Sequence, residues 1–223
     1  MNKLLLLASA ALAAFTTASP TKTTTSSCSP VYPALTCPTK TIPNIHADFD
    51  DLPAGDPLHH PYKHLTYENL TVEDGHNPRY SGLQPESEPH YALTPFPTVQ
   101  YQYVAQLTIA GTKTTSFDFI SCYLGCLTLA ENTTKWDRNP KYTPIACRVL
   151  VDCVTTVNPE GHQGPDIVTY DGGEDMVYVE TEVFTYCQSF PIEIVSSGVD
   201  FTSTVVVVDT FRYTIREGEV LPP

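Results

Sequence analysis

The sequence predicts an all-β protein: a two-sheet antiparallel β-sandwich of jelly-roll type, braced by disulfides. Three observations predict it. Apolar and polar residues alternate with a period of two over many short runs rich in Val, Ile, Thr, Tyr and Phe, the pattern of half-buried strands. Turn residues separate these runs, and no stretch carries the 3.6-residue apolar period of an amphipathic helix. Seven cysteines stand in a chain that opens like a secreted one, a setting in which cysteines pair.

The opening supports that compartment. Lys3 supplies a positive charge, Leu4 to Ala14 an apolar run, and Thr16-Thr17-Ala18 a small-residue cleavage site ahead of Ser19. The apolar run is too short to cross a bilayer, and no later one reaches about 18 residues. Residues 1–18 therefore read as a signal peptide, and the mature chain as secreted and extracellular, with no membrane partner. The tail, 218–223, lacks the hydrophobic stretch of a lipid-anchor signal. A formal charge of −13 argues against nucleic acid and anionic membranes as partners. Asn69-Leu70-Thr71 and Asn132-Thr133-Thr134 are glycosylation sequons.

Residues 19–43 are rich in Thr, Ser and Pro and read as an extended, O-glycosylated arm. Cys28 and Cys37 most simply close a loop within it; the alternative is that one of them staples the arm to the domain. The β-sandwich is placed at 44–217. Its opening strand is Ile45 to Phe49, ended by Pro53, which cannot donate to a ladder. Tyr62 to Tyr67 reads as a short strand, Thr71 to Tyr91 as irregular, and Val99 to Ile109 as a clean alternation ended by Gly111. After the central stretch come Ile167 to Tyr170, the turn Asp171-Gly172-Gly173, Val177 to Phe184, and a closing strand from Val205 to Ile215.

The central stretch, Ser116 to Val157, holds two alternating runs and four of the cysteines. Ile120, Cys122, Leu124 and Cys126 share one face of the first run; Ile145, Cys147, Val149, Val151 and Cys153 share one face of the second. Paired as an antiparallel hairpin with Cys126 opposite Cys147, the two runs permit a Cys126–Cys147 bridge. Cys122, Cys153 and Cys187 then compete for one further bridge and leave one thiol free.

Five segments, IHADFDDLP, PYKHLTYENLTV, SFDFISCYLGC, PIACRVLV and VVVVDTFRYTI, resemble a group of small secreted fungal proteins with a galactose-binding-like jelly roll. The resemblance spans roughly Ile45 to Ile215. It implies that fold, shared with carbohydrate-binding modules, and a role outside the cell that in some such proteins is that of an effector in a host plant. The motifs themselves are structural and name no activity.

Asp209 is the most informative residue, because strict alternation puts it on the apolar face of Val205, Val207, Phe211, Tyr213 and Ile215. A lone buried carboxylate needs a cation or several donors. Carbohydrate-binding jelly rolls of this kind often hold a structural calcium between first and last strands, which nominates Asp48, Asp50 and Asp51 as co-ligands. The alternative is that Asp209 caps backbone amides at a bulge. His59, His60 and His64 lie in a Pro-rich loop and read as solvent-exposed. No nucleophile elbow, zinc-protease motif or phosphate loop is present, and carboxylate pairs such as Glu86/Glu88, Glu180/Glu182 and Asp171/Glu174 carry no spacing that selects a glycosidase site. No catalytic residue is assigned. Trp136, the single tryptophan, lies in a loop beside the Asn132 sequon and reads equally as an exposed stacking platform or partner anchor, with Tyr142, Tyr62 and Tyr67 as candidate extensions, and as a ring folded back to cap the sandwich edge.

The reading is a non-catalytic protein that binds a cell-wall polysaccharide or a host extracellular protein, for example an inhibitor of wall-degrading enzymes. The alternatives are a secreted carbohydrate-active enzyme, a glycoside hydrolase or lyase, and a structural cell-wall protein.

Overall fold

The alternating runs become strands in two antiparallel sheets. The computed structural model describes residues 38–58, 60–80, 82–95, 103–111, 113–134, 136–155, 164–199 and 203–218, all within the compact unit Ala34–Pro223. Residues 1–18, read from the sequence as a signal peptide, most of the segment read as an arm, and Cys28 and Cys37 lie outside the described residues. The strands are β1 Pro38–Ala47, β2 Leu65–Glu68, β3 Thr71–Asp74, β4 His90–Leu93, β5 Tyr103–Ile109, β6 Thr114–Leu129, β7 Tyr142–Pro144, β8 Cys147–Val151, β9 Asp166–Tyr170, β10 Val177–Glu180, β11 Ser189–Ser197 and β12 Thr204–Gly218. Sheet A has the order β10-β6-β12-β4-β3, with β1 also on β12 and β7 also on β6; sheet B has the order β2-β5-β11-β8-β9. The fold is the disulfide-braced β-sandwich that the alternation predicts.

Between the sheets lies an aromatic core. Phe119 of β6 stacks on Phe190 of β11 with ring centroids 4.4 Å apart. Phe49, Tyr67 and Phe211 meet edge-on or tilted at 5.7 to 6.3 Å. The Tyr67 and Tyr213 hydroxyls lie 3.1 Å apart, and Tyr213 donates to the Lys63 carbonyl at 2.7 Å, so these buried phenols are satisfied. At the rim, Arg216 donates to both oxygens of Asp118 at 3.0 Å and lies 4.2 Å over the Tyr186 ring.

Several expectations are corrected. The central hairpin does not form: β6 pairs with β12 and β10 in sheet A, whereas β8 pairs with β11 and β9 in sheet B. The strand that turns back on β6 is the three-residue β7, with Leu127 opposite Pro144 and Leu129 opposite Tyr142. The Ile145 N–H then donates to the Cys126 carbonyl at 3.0 Å, and the chain crosses to sheet B. Cys126 is nonetheless bonded to Cys147, across a Cα separation of 6.3 Å, so this disulfide joins the two sheets instead of rungs of one hairpin. Cys153 is bonded to Cys187, and Cys122 is the buried free thiol among the described residues.

The opening strand starts earlier than expected and ends sooner. β1 begins at Pro38, so the boundary placed at 43/44 falls inside it, at a bulge between Ile42 and Ile45 where Asn44 has φ 55°. Phe49 has φ 66° and closes a turn with Leu52, which takes Asp48 to Asp51 out of the ladder. Lys63 and His64, also at positive φ, move the start of the second run to Leu65, and the strand runs on to Glu68. The segment read as irregular, Thr71 to Tyr91, contains β3 and the start of β4, paired with each other. β11 had no counterpart in the reading of the sequence, although Phe190, Ile192 and Ile194 alternate there and are buried.

Candidate binding surface

Asp209 sits where β12 changes face. Val206 and Val208 pair with Cys126 and Leu124, on the side of β6 that is disulfide-bonded to sheet B. Asp209 pairs with Tyr123 on the opposite side. Three residues after Val208, Phe211 again faces sheet B, its ring 6.0 Å from that of Tyr67. The extra residue at the bulge, Thr210 with φ 47°, absorbs the change of parity. Asp209 therefore shares the side of Val205 and Val207 but not that of Phe211, Tyr213 and Ile215. It lies outside the inter-sheet core, bonded to the loop that joins β3 to β4.

The carboxylate is fully buried and fully partnered. One oxygen accepts the Ser87 N–H at 2.9 Å; the other accepts the Ser87 hydroxyl at 3.0 Å, the Thr210 N–H at 2.6 Å and the Thr210 hydroxyl at 3.2 Å. Burial raises the carboxyl, the Ser87 and Thr210 donors pull it part of the way back, and the balance leaves it at about 6. Two of the nominated co-ligands have partners of their own. Asp50 accepts the His90 N–H at 3.0 Å, and Asp51 accepts the Tyr62 hydroxyl at 2.5 Å and pairs with Lys63 at 3.2 Å. Among the described residues no three His, Cys, Asp or Glu side chains are grouped to hold a metal. The geometry at Asp209 is that of the alternative reading, a carboxylate capped by protein donors at a bulge.

The aromatic candidates separate sharply. Tyr62, Tyr67 and Tyr142 are core residues, 7%, 0% and 9% exposed, and do not extend a surface. Tyr62 and Tyr67 pack on Phe49, and Tyr142 stacks on Tyr80 at 5.1 Å. Trp136 is 84% exposed. Its loop is held by Asp137, which accepts the Thr134 N–H at 2.8 Å and the Thr134 hydroxyl at 3.0 Å. Asn69 and Asn132 are both exposed, at turns with φ 59° and 62°. His60 lies 3.1 Å from Asp56, His64 is exposed, and His59 is outside the described residues. Of the carboxylate pairs, Asp171 and Glu174 line a cleft of about 350 Å³, and Glu88 lines another of about 230 Å³ together with His76, whose ring lies 3.6 Å from both Asp74 and Glu88.

One surface escaped the sequence reading. Beside Ser87, the Glu86 carboxylate lies near the Tyr123 phenol: burial raises the phenol's pKa, Glu86 raises it further, and the Arg212 charge opposes both. The Tyr123 ring meets that of Tyr178 at 5.1 Å with a 50° tilt, and Tyr178 is 44% exposed. In the ladder, Tyr178, Tyr123 and Asp209 stand side by side, as do Glu180, Ser121 and Arg212. The alternation of buried Val179 with exposed Tyr178 and Glu180 was a usable signal. Glu86 had none, because loop contacts leave no periodic trace.

No protein-family model and no curated protein matches the chain. Among solved structures it is similar to a DUF4465 family protein from Bacteroides caccae, with 10% identity, a TM-score of 0.43, and 78% of this chain and 87% of that one covered. It is similar also to the K2 cleaved adhesin domain of Lys-gingipain, at 8% identity and a TM-score of 0.40 over 77% of this chain and 98% of that one. An exo-beta-agarase aligns at 10% identity and a TM-score of 0.37, over 81% of this chain and 25% of that one. At this level the likenesses carry no functional argument.

Proposed function

We propose that the protein is a secreted, non-catalytic extracellular binding protein whose target is a cell-wall polysaccharide. The observation that carries this reading is Trp136. An indole left 84% exposed is unusual, and Asp137 holds its loop in a defined turn, so little ordering is needed when a ligand arrives. A large, flat and partly polar ring suits the apolar face of a sugar. The exposed sequon asparagines and the two disulfides accord with secretion. The resemblance to small secreted fungal proteins supports a role in the wall or in a host's extracellular space.

The test is retention on insoluble cellulose, chitin, xylan and pectin. At least one polymer should retain the protein, and Trp136→Ala should lose most of that retention while melting like the parent. Release of reducing ends during incubation would establish the carbohydrate-active enzyme instead. Failure to bind every polymer would point to a protein target, for example an inhibitor of wall-degrading enzymes.

A further inference from the structure

We infer that the outer face of sheet A carries a sugar subsite, formed by Tyr123, Tyr178, Glu86 and Arg212, which holds one pyranose unit of a single, neutral polysaccharide chain. The inference rests on the reading of the protein as a polysaccharide binder, but uses no part of the Trp136 loop.

Four elements converge on this spot. Tyr178 comes from the edge strand β10, Tyr123 from β6, Arg212 from β12, and Glu86 from the loop between β3 and β4. The loop is not free to wander, since Ser87 gives both its N–H and its hydroxyl to the buried Asp209 carboxylate. Asp209 is thus a positioning residue that holds the loop carrying Glu86 near the Tyr123 phenol. The result is an arrangement prepared before any ligand arrives.

Chemistry selects the ligand class. A pyranose ring presents an apolar face of C–H groups and a rim of hydroxyls that both donate and accept. The two phenol rings offer the apolar contact, Glu86 accepts only, Arg212 donates only, and the phenol hydroxyls do either. Ser121, level with Glu180 and Arg212 in the ladder, has a buried Oγ with no hydrogen-bond partner among the described residues, one more polar group unspent beneath this face. Shape narrows the choice. Rings tilted by 50° at 5.1 Å form a V and cannot both lie flush on a flat crystalline surface. Charge narrows it again: Glu86 and Glu180 on the rim, in a chain of net charge −13, repel a polyuronate. Arg212 in the middle disfavours a basic peptide.

The probes are soluble hexasaccharides, titrated calorimetrically into the full mature chain: β-1,4- and β-1,3-glucan, chitin and xylan fragments, with oligogalacturonate as the acidic comparison. A neutral hexasaccharide should bind, and Tyr178→Ala should weaken it by about tenfold or more. Tyr178→Phe should stay within about threefold of the parent, because the ring is kept. Glu86→Gln should weaken binding without moving the melting curve. Equal affinity in Tyr178→Ala and the parent would overturn the subsite, as would a preference for oligogalacturonate or binding confined to crystalline polymer. A parent that binds neither soluble nor insoluble polysaccharide overturns the broader reading as well. Failure of the subsite alone shows as retention on a polymer that depends on Trp136 and not on Tyr178.

Discussion

Asp209 makes the residue scale testable through pH. Its carboxyl is held at about 6 in the folded protein, against about 3.9 in an unfolded chain. The folded state therefore binds this proton more tightly, so the contribution of Asp209 to stability is greatest below about pH 4 and declines as pH rises to about 6. The decline should total roughly 3 kcal/mol. Urea midpoints measured from pH 4 to 7 should show it in the parent, and Asp209→Asn should remove that component. At pH 7 the asparagine has one acceptor oxygen where four donors wait, so the variant should also lose about 1–3 kcal/mol from an unsatisfied N–H. A parent whose stability is flat across this window would refute the account. Asp209 was legible in the sequence as an anomaly, a carboxylate in a valine run. Its partners were not, because Ser87 lies 122 positions earlier in a loop and Thr210 acts through a backbone φ that alternation does not foresee.

At the scale of elements, the corner where β7 hands over to β8 carries two predictions. Replacing both Cys126 and Cys147 by Ala unties sheet A from sheet B and should cost about 3 kcal/mol, read as a lower denaturant midpoint. Gly172 in the turn after β9 has φ 88°, and a Cβ there would lie 2.8 Å from the Ala146 backbone nitrogen in the crossing segment. Gly172→Ala should destabilise by about 2–4 kcal/mol, whereas Gly111→Ala, equally left-handed at φ 78° but in open space, should cost about 1 kcal/mol. Equal losses would show that the turn does not press on the corner. The runs at β6 and β8 were readable as strands because alternation reports a strand and its faces. It does not report the partner strand, and three residues of β7 were enough to send β8 to the other sheet. β11 was overlooked for a different reason: Pro191 interrupts a run that Phe190, Ile192 and Ile194 otherwise mark as buried strand.

For the whole molecule, the capped Asp209 predicts that chelator leaves the melting temperature unchanged to within about a degree, since Ser87 and Thr210 already supply partners to the buried carboxylate. A fall of several degrees, with calcium found by elemental analysis, would restore the ion-bound account. The architecture also sets an order of events. β12 supplies the ladder partner of β6 along one edge and of β4 and β1 along the other, so sheet A has no continuous interior without it. Every other described strand precedes it in the chain. During synthesis, β1, β4 and β6 emerge, and Cys126 can meet Cys147, while the strand that all three require is still unmade. Exposed ladder edges must be shielded for that interval, and on the proposed secretion a chain stopped at residue 203 should be retained and degraded in the cell instead of being released.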